Sequence, residues 1–183
     1  MRITLVRHGE TDANYDGIMQ GRGNNLLSDT GRRQCQRLRL ELEKYHFDVC
    51  YMSPLVRAVE TAMILVGDRV LTIPDDRIIE RDLGSLEGKS KELYDIKKYW
   101  NYDLNSTELG VEGIQSVFNR CRDFLDYILE KHDGKDILIV THSAIFKALY
   151  YLLKESDLYN VLGDIRVKNC DCKTIEIKKI KTG

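Results

Sequence analysis

Short apolar runs and longer periodic segments alternate along this chain. Residues 3–6 and 136–140 are apolar runs rich in β-branched side chains, which indicate strands buried on both faces. Residues 114–131 place apolar side chains at a 3.6-residue period and predict the clearest helix. The predicted strands cover residues 3–6, 48–52, 70–73, 136–140 and, at a sheet edge, 174–180. The predicted helices cover residues 28–45, 55–66, 90–100, 114–131 and 144–154. This alternation predicts an α/β fold, a three-layer sandwich with a mostly parallel central sheet and helices on both faces.

Capping and turn residues refine some of these boundaries. Ser28 is the predicted N-cap of the first helix. Ser53 and Pro54 predict a capped helix start with proline at the first helical position, which opens the helix over 55–66. Residues 12–27 are polar and contain three glycines. A connection of this length without regular structure is typical of a functional loop.

Length and composition predict one domain over residues 1–183, with a small helical cap-like segment around 89–113. Hydrophobic residues make up 43% and charged residues 31%, which is ordinary for a soluble globular protein. The net charge of −1, without a massed basic stretch, argues against nucleic acid and anionic membranes as partners. No apolar run reaches the roughly 18 residues of a membrane span, and no signal-peptide pattern is seen. Five cysteines, an odd number, fit a reducing compartment, so we expect a cytoplasmic location.

Charged and imidazole side chains follow three of the predicted strands. Arg7 and His8 end the first strand, Arg57 comes soon after the second, and His142 ends the late apolar strand. Because ligands bind outside the carboxyl ends of strands in open α/β sheets, we expect these groups to share one crevice. Two arginines and two histidines repel each other unless a multiply charged anion lies among them. A phosphomonoester dianion fits, because arginine binds it through paired hydrogen bonds. Gly9 predicts a sharp turn that leaves space in front of His8.

Five sequence blocks resemble the motifs of the histidine phosphatase superfamily, the phosphoglycerate-mutase-like enzymes. They occur in the family's order, and the resemblance implies a phosphoglycerate-mutase-like fold. The blocks are Arg7-His8-Gly9-Glu10-Thr11 with Asn14, Leu27-Ser28-Asp29-Thr30-Gly31 with Gln34, Met52-Ser53-Pro54-Leu55-Val56-Arg57-Ala58 with Thr61-Ala62, Glu80 with Leu83-Gly84 and Glu87-Gly88, and Val140-Thr141-His142. Two positions depart from the family pattern: Ser143 stands where many relatives have glycine, and residues 24–28 replace an Asp-x-Pro-Leu-Thr-like turn.

The resemblance implies a role for each matching residue. His8 is the nucleophile, which attacks phosphorus and becomes phosphohistidine. Glu80 is the general acid that protonates the leaving oxygen, and then the base that activates water. The groups that clamp the phosphoryl oxygens are Arg7, Arg57 and His142. Further substrate contacts are assigned to Asn14, Gln20, Gly21 and the backbone N–H of Ser143, which begins a helix.

These residues predict a metal-independent phosphomonoester phosphatase that needs no cofactor and acts on a small phosphorylated substrate. The chain looks similar to a small bacterial branch that includes α-ribazole phosphatases and broad-specificity phosphatases, and a homodimer is possible. One alternative is a cofactor-dependent phosphoglycerate mutase. The short chain and the run Glu80-Arg81-Asp82-Leu83-Gly84 resemble the phosphatases instead. The other alternative is a non-catalytic phosphate-binding module, which would be expected to lack the nucleophile or the acid.

Cysteines and aromatic residues offer weaker signals. Cys170 and Cys172 suggest a metal or redox pair, but without further ligands nearby a strand-end position is favoured. Three other cysteines occupy apolar positions and indicate core: Cys35, Cys50 and Cys121. Four aromatic residues either stack on a substrate or pack the cap-like segment: Tyr94, Tyr99, Trp100 and Tyr102.

Overall fold

A single sheet organises residues 1–154 and 166–177, the part of the chain that the computed structural model describes. Five strands form it within these residues: β1 Arg2–Arg7, β2 Val49–Met52, β3 Leu71–Pro74, β4 Asp136–Thr141 and β5 Cys172–Glu176. Their spatial order is β3-β2-β4-β1-β5. The first four strands are parallel, and β5 joins β1 antiparallel at the edge. The predicted mostly parallel sheet is therefore confirmed.

The central strands β1 and β4 are apolar on both faces. Ile3 of β1 pairs with Ile137 of β4, and Val6 pairs with Val140. Because side chains alternate along a strand, Ile3 and Leu5 enter one hydrophobic cluster while Val6 enters another. Each face of the sheet therefore needs its own helical cover.

Helices supply that cover on both sides. The described helices are α1 Asp12–Tyr15, α2 Asp29–Leu42, α3 Val56–Val66, α4 Ile96–Tyr99, α5 Ile114–Lys131 and α6 Ser143–Leu153. Helices α2 and α3 bury apolar side chains with Val6, and helices α5 and α6 do so with Ile3. The three-layer sandwich is confirmed. In the part of the chain described, no helix has the length and apolarity needed to cross a membrane.

The starts of helices α2 and α3 show where capping residues predict a helix boundary correctly and where they do not. Ser28 caps α2 as predicted, because its hydroxyl accepts a hydrogen bond from the Gly31 N–H at 3.0 Å. The predicted capped start at Ser53 and Pro54 is wrong. Helix α3 begins at Val56, and its N-cap residue Leu55 makes no side-chain capping bond. The Ser53 hydroxyl accepts the N–H of Leu55, ahead of the helix, at 3.3 Å, and it also lies 2.6 Å from Nε2 of His142, 89 residues away in the chain.

Three irregular regions also depart from the sequence predictions. Residues 12–27 contain helix α1, which has a capping box between Thr11 and Asn14. Residues 90–100 form a 3₁₀ turn at Lys91–Leu93 and the single turn of α4 rather than one helix. Strand β5 begins at Cys172, two residues earlier than predicted, and residues 178–180 lie outside the described part of the chain.

Candidate active site

A cavity of about 690 Å³ opens at the carboxyl ends of β1 and β4, where the sequence predicts the crevice. Its wall includes most of the predicted site residues: Arg7, His8, Asn14, Gln20, Gly21, Arg57, Glu80 and Ser143. His142 is the predicted site residue that lies behind this wall. The structure thus brings together side chains from four separate segments of the chain.

His8 is held in one orientation at the end of β1. Its backbone N–H donates to the Thr141 carbonyl at 2.9 Å, and its ring Nδ1 lies 2.7 Å from the Gly9 carbonyl. An Nδ1–H that donates to this carbonyl leaves Nε2 with a lone pair. Burial, and then the positive charges of Arg7 and Arg57, lower the pKa of His8 well below its usual value. A neutral imidazole with a free Nε2 is the nucleophilic form at neutral pH.

Gly9 is required by close packing. A Cβ atom at this position would lie 2.7 Å from Sγ of Cys35 and 2.8 Å from the Gly31 carbonyl oxygen, so any side chain would displace α2. The need for glycine thus comes from close packing against α2, and the sharp turn that clears space in front of His8 stays a prediction. The small residue lets helix α2 support the backbone behind His8.

Arg7 brings a partly buried cation to the cavity. Its Nη1 donates to the Val167 carbonyl at 2.5 Å, while its Nε is buried and has no hydrogen-bond partner among the described residues. Burial lowers the pKa of Arg7, and the negative charge of Glu80 partly opposes that shift. An unpaired buried donor is unfavourable by about 1–3 kcal/mol. An oxygen atom of a bound anion would remove that penalty.

Arg57 connects the nucleophile region to the loop that covers it. Its Nη1 donates to the Gly23 carbonyl at 2.6 Å, its Nη2 to the Gly21 carbonyl at 2.7 Å, and its Nε to Nδ1 of His142 at 3.2 Å. Burial lowers the pKa of Arg57 to about 10, so the side chain keeps its charge at neutral pH. The arginine therefore fixes the loop as well as supplying positive charge.

His142 contacts Arg57 from outside the cavity. Its Nδ1 accepts from Arg57, so its Nε2 carries the proton and donates to the Ser53 hydroxyl. The ring is fully buried, and its centroid lies 5.1 Å from that of His8. Burial, and then Arg57, lower its pKa well below the usual value. Both ring nitrogens face protein groups here, and a direct contact with a phosphoryl oxygen stays a prediction.

Glu80 is anchored through one carboxylate oxygen. Oε1 accepts the N–H of Arg81 at 2.9 Å and the N–H of Ala144, in the first turn of α6, at 3.3 Å. Both bonds use Oε1, so Oε2 is the oxygen that can exchange a proton within the cavity. Glu80 and His8 thus line the same cavity.

Sequence reasoning missed two buried cations in the cavity wall. Arg81 is 1% exposed, donates to the carbonyls of Glu112 and Tyr99, and has a buried Nη2 without a partner among the described residues. Lys147 on α6 is buried, with Nζ 4.6 Å from the ring centroid of Trp100. The adjacency of Arg81 to Glu80 was a usable signal, whereas Lys147 looks like an ordinary helix residue in the sequence.

The remaining predicted contacts present polar groups at the cavity edge. The Asn14 amide oxygen accepts from Thr11 and from Asn169, so its amide nitrogen is the group available to an anion. Gln20 has a buried amide oxygen without a partner among the described residues. Ser143 begins α6 at the cavity, where the positive end of the helix dipole favours an anion.

Two of the four aromatic residues line the cavity and two pack against other rings, while stacking on a substrate stays a prediction. Tyr94 and Trp100 line the cavity. Tyr99 is buried against Tyr94 with a centroid separation of 5.1 Å, and Tyr102 packs edge-on against Phe118. In residues 1–154 and 166–177, no group of three or more His, Cys, Asp or Glu side chains is placed to hold a metal ion.

An α/β sandwich with a neutral buried imidazole, two buried guanidinium groups and a carboxylate at its strand ends is typical of enzymes that transfer phosphoryl groups. The chain belongs to the histidine phosphatase superfamily. The sequence model described as "Histidine phosphatase superfamily (branch 1)" matches residues 3–182. The predicted family and fold class are confirmed, and the protein is an enzyme with phosphatase or mutase-like activity.

Individual relatives include both kinds of activity. Phosphoserine phosphatase 1 of Hydrogenobacter thermophilus is 34% identical over 166 residues, which cover 86% of this chain and 78% of that protein. The 2,3-bisphosphoglycerate-dependent phosphoglycerate mutase of Cytophaga hutchinsonii is 30% identical over 165 residues, covering 84% and 77%. The crystal structure of the α-ribazole phosphatase from Shigella flexneri is 27% identical, with a TM-score of 0.83 and coverage of 98% and 92%.

Proposed function

We propose that this protein hydrolyses a small phosphorylated metabolite through a phosphohistidine intermediate on His8. The observation that carries the proposal is the orientation of the imidazole. Nδ1 is held by the Gly9 carbonyl, while His8 itself lines a cavity that Arg7 and Arg57 make positive. A phosphate group between these arginines would present its phosphorus to Nε2 of His8.

The reaction then proceeds in two displacements. The Nε2 lone pair forms a bond to phosphorus while the ester bond breaks, and Glu80 gives its proton to the leaving oxygen. The Glu80 carboxylate next takes a proton from water, whose oxygen attacks phosphorus and releases Nε2. Positive charge from Arg7 and Arg57 stabilises the equatorial oxygens in both steps.

A phosphoglycerate mutase is the second candidate, because a mutase is among the relatives at 30% identity. A mutase returns the phosphoryl group to a second substrate hydroxyl instead of to water. Incubation with 3-phosphoglycerate and 2,3-bisphosphoglycerate separates the two reactions. A phosphatase releases inorganic phosphate with every turnover, and a mutase forms 2-phosphoglycerate without net release.

Turnover of p-nitrophenyl phosphate in excess EDTA tests the hydrolase directly. We expect sustained turnover in the wild type and a loss of at least about 10³-fold in His8→Ala. Acid-labile phosphate should appear on the wild type after mixing and be absent from His8→Ala. His46→Ala is the control, because the His46 side chain is 80% exposed and lies away from the cavity. Phosphate binding without turnover would identify a non-catalytic module instead.

A further inference from the structure

Two cysteine sulfurs from distant parts of the chain meet behind the nucleophile. Cys35 lies on α2 and is fully buried, whereas Cys170 precedes β5 and is partly exposed. Their Sγ atoms are 3.6 Å apart. A disulfide has a sulfur separation of about 2.05 Å, so the two sulfurs need to approach by roughly 1.6 Å. The residues are 135 positions apart, which is why the sequence gives no sign of the pair.

The Cys35 sulfur supports the backbone that follows the nucleophile. It occupies the space that a side chain at position 9 would fill, since a Cβ atom at Gly9 would lie 2.7 Å from it. It also lies 3.6 Å from the hydroxyl of Thr61, which accepts the Gly9 N–H at 3.1 Å. A movement of this sulfur is therefore transmitted to Gly9, whose carbonyl orients the ring of His8.

The chain around Cys170 supports the same strand end from the other side. The Cys170 N–H donates to the Arg7 carbonyl at 3.1 Å. The Val167 carbonyl accepts from Nη1 of Arg7, and the Asn169 amide donates to the His8 carbonyl at 3.1 Å. Cys170 itself has a left-handed backbone with φ of 59°, which is rare for a residue with a side chain. The segment is thus held in an unusual conformation by its contacts with the active site.

We propose that Cys35 and Cys170 are a redox modification site, at which oxidation by a peroxide forms a disulfide. The disulfide displaces the nucleophile segment, residues 7–10 around His8, and slows catalysis. Cys170 loses a proton, and its sulfur displaces hydroxide from hydrogen peroxide, giving a sulfenic acid and, after protonation, water. The Cys35 thiolate then attacks the Cys170 sulfur and releases a second hydroxide, which leaves as water. In sum, two thiols lose two electrons and two protons, and one peroxide becomes two waters. Cys170 is the partly exposed sulfur that peroxide can reach, and Cys35 is fully buried behind it, so Cys35 is the resolving thiol.

Mass spectrometry and kinetics of peroxide-treated protein test the proposal. The wild type should lose about 2 Da, and its digest should contain a peptide pair joined through Cys35 and Cys170. Because a displacement of about 1 Å can slow catalysis about 10²-fold, we expect kcat for p-nitrophenyl phosphate to fall about 10- to 100-fold and to recover in dithiothreitol. Each variant is compared with its own reduced form. Peroxide should slow Cys172→Ser, which changes a partly exposed thiol two residues away, as much as it slows the wild type. After the same treatment, Cys35→Ser and Cys170→Ser should keep most of the turnover of their reduced forms.

The kinetic readout rests on the proposed function, but the mass change does not. The affinity for inorganic phosphate is measured beside kcat, so the effect on the cavity is visible even without turnover, and it should weaken on oxidation. Addition of oxygen to Cys170 without a joined peptide would overturn the disulfide. A joined peptide with unchanged turnover and phosphate affinity would overturn the effect on catalysis. Equal losses in Cys35→Ser and in the wild type would assign the sensitivity to another residue.

Discussion

Arg57 gives three of its hydrogen-bond donors to protein acceptors, namely the carbonyls of Gly21 and Gly23 and the ring of His142. A guanidinium group has five N–H donors. Two therefore stay available for an anion in the cavity that this side chain lines. In the proposed reaction this one side chain both binds the phosphoryl group and holds the loop through its bonds to Gly21 and Gly23, so its loss should affect binding and loop order together.

Replacing Arg57 with alanine should weaken inhibition by inorganic phosphate. A hydrogen bond to a charged group contributes about 1.5–3 kcal/mol, which corresponds to a rise in the inhibition constant of about 10- to 100-fold. Competition against p-nitrophenyl phosphate measures this constant. Arg69→Ala is a matched control, because Arg69 also donates to backbone carbonyls, those of Leu65 and Val66, and is not part of the cavity wall. An unchanged inhibition constant in Arg57→Ala would remove Arg57 from the phosphate site.

In the proposed reaction, Glu80 supplies the proton that the ester oxygen needs. Alkyl phosphates have poor leaving groups that require a proton, whereas p-nitrophenolate leaves without one. Glu80→Gln keeps the acceptor for the N–H groups of Arg81 and Ala144 but cannot donate a proton from a carboxyl group. We expect sugar-phosphate turnover to fall about 10²–10⁴-fold, and p-nitrophenyl phosphate turnover to fall much less.

Burst kinetics separate the two roles of Glu80. A burst of p-nitrophenolate followed by slow turnover in Glu80→Gln would show that the carboxylate also activates water. Asp82→Asn is the comparison, because Asp82 is close in sequence and its carboxylate accepts the Gly84 N–H outside the cavity wall. Equal losses for both leaving groups without a burst would exclude Glu80 as the acid and direct attention to Glu10 or Asp82.

Helix α2 approaches the nucleophile segment more closely than side chains would allow. A Cβ atom at Gly31, in the first turn of α2, would lie 2.0 Å from the Glu10 carbonyl oxygen. The same oxygen accepts the N–H of Ser28, the residue that caps this helix. Helix start and nucleophile segment are therefore one packed unit.

Gly31→Ala separates helix propensity from this close packing, because the two have opposite signs. Alanine in a helix is favoured over glycine by about 1 kcal/mol, but overpacking is unfavourable by about 1–3 kcal/mol. With a backbone oxygen 2.0 Å away, we expect a lower free energy of unfolding and lower kcat. Thr30→Ala, at the exposed neighbouring position, should leave both nearly unchanged. Denaturant unfolding and steady-state kinetics measure the two effects, and a stabilised Gly31→Ala would contradict the close approach.

The elements that the sequence predicts well are those with strong local patterns. Strands β1 and β4 are continuous apolar runs, and α5 keeps its period over five turns, so each has one stable interpretation. The start of α3 was mispredicted because the Ser53 hydroxyl accepts the N–H of Leu55, which precedes the helix, and also contacts His142, a partner that is distant in the chain. Residues 90–100 lack a long apolar stripe, and tertiary contacts divide them into two short turns.

The residues of the candidate site also differ in how well the sequence predicts them. His8 could be predicted because charged groups at strand ends are conspicuous in sequence, and Glu80 because its sequence block resembles a family motif. The position of His142 behind Arg57, and the buried cations Arg81 and Lys147, depend on how distant segments pack. Local patterns carry no information about such contacts, so a structure was needed to find them.

Two buried, neutral imidazoles make the free energy of unfolding of the whole protein depend on pH. His8 and His142 are 3% and 0% exposed, and both lie near the charges of Arg7 and Arg57, so protonation of either ring in the folded state is unfavourable. In the unfolded chain both rings regain a pKa near 6.5. Below that pH the unfolded state binds protons that the folded state does not, which lowers the free energy of unfolding.

We therefore expect the stability of the protein in phosphate-free buffer to be full above about pH 6.5 and to fall as the pH decreases from there to about 5. Each buried histidine contributes a slope of up to about 1.4 kcal/mol per pH unit, since one pKa unit corresponds to 1.36 kcal/mol. Urea unfolding at several pH values measures the slope. His8→Asn removes one of the two titrating groups and should have a shallower slope than the wild type. His46→Ala, which changes an exposed ring, should follow the wild type.

The carboxylates whose pKa is lowered by ion pairs, such as Asp136 beside Arg2, lose their contribution to stability only at lower pH, so they do not produce this decline. A wild-type stability that stays constant between pH 7 and 5 would mean that the buried rings take up protons in the folded protein, and would remove the argument for a neutral nucleophile.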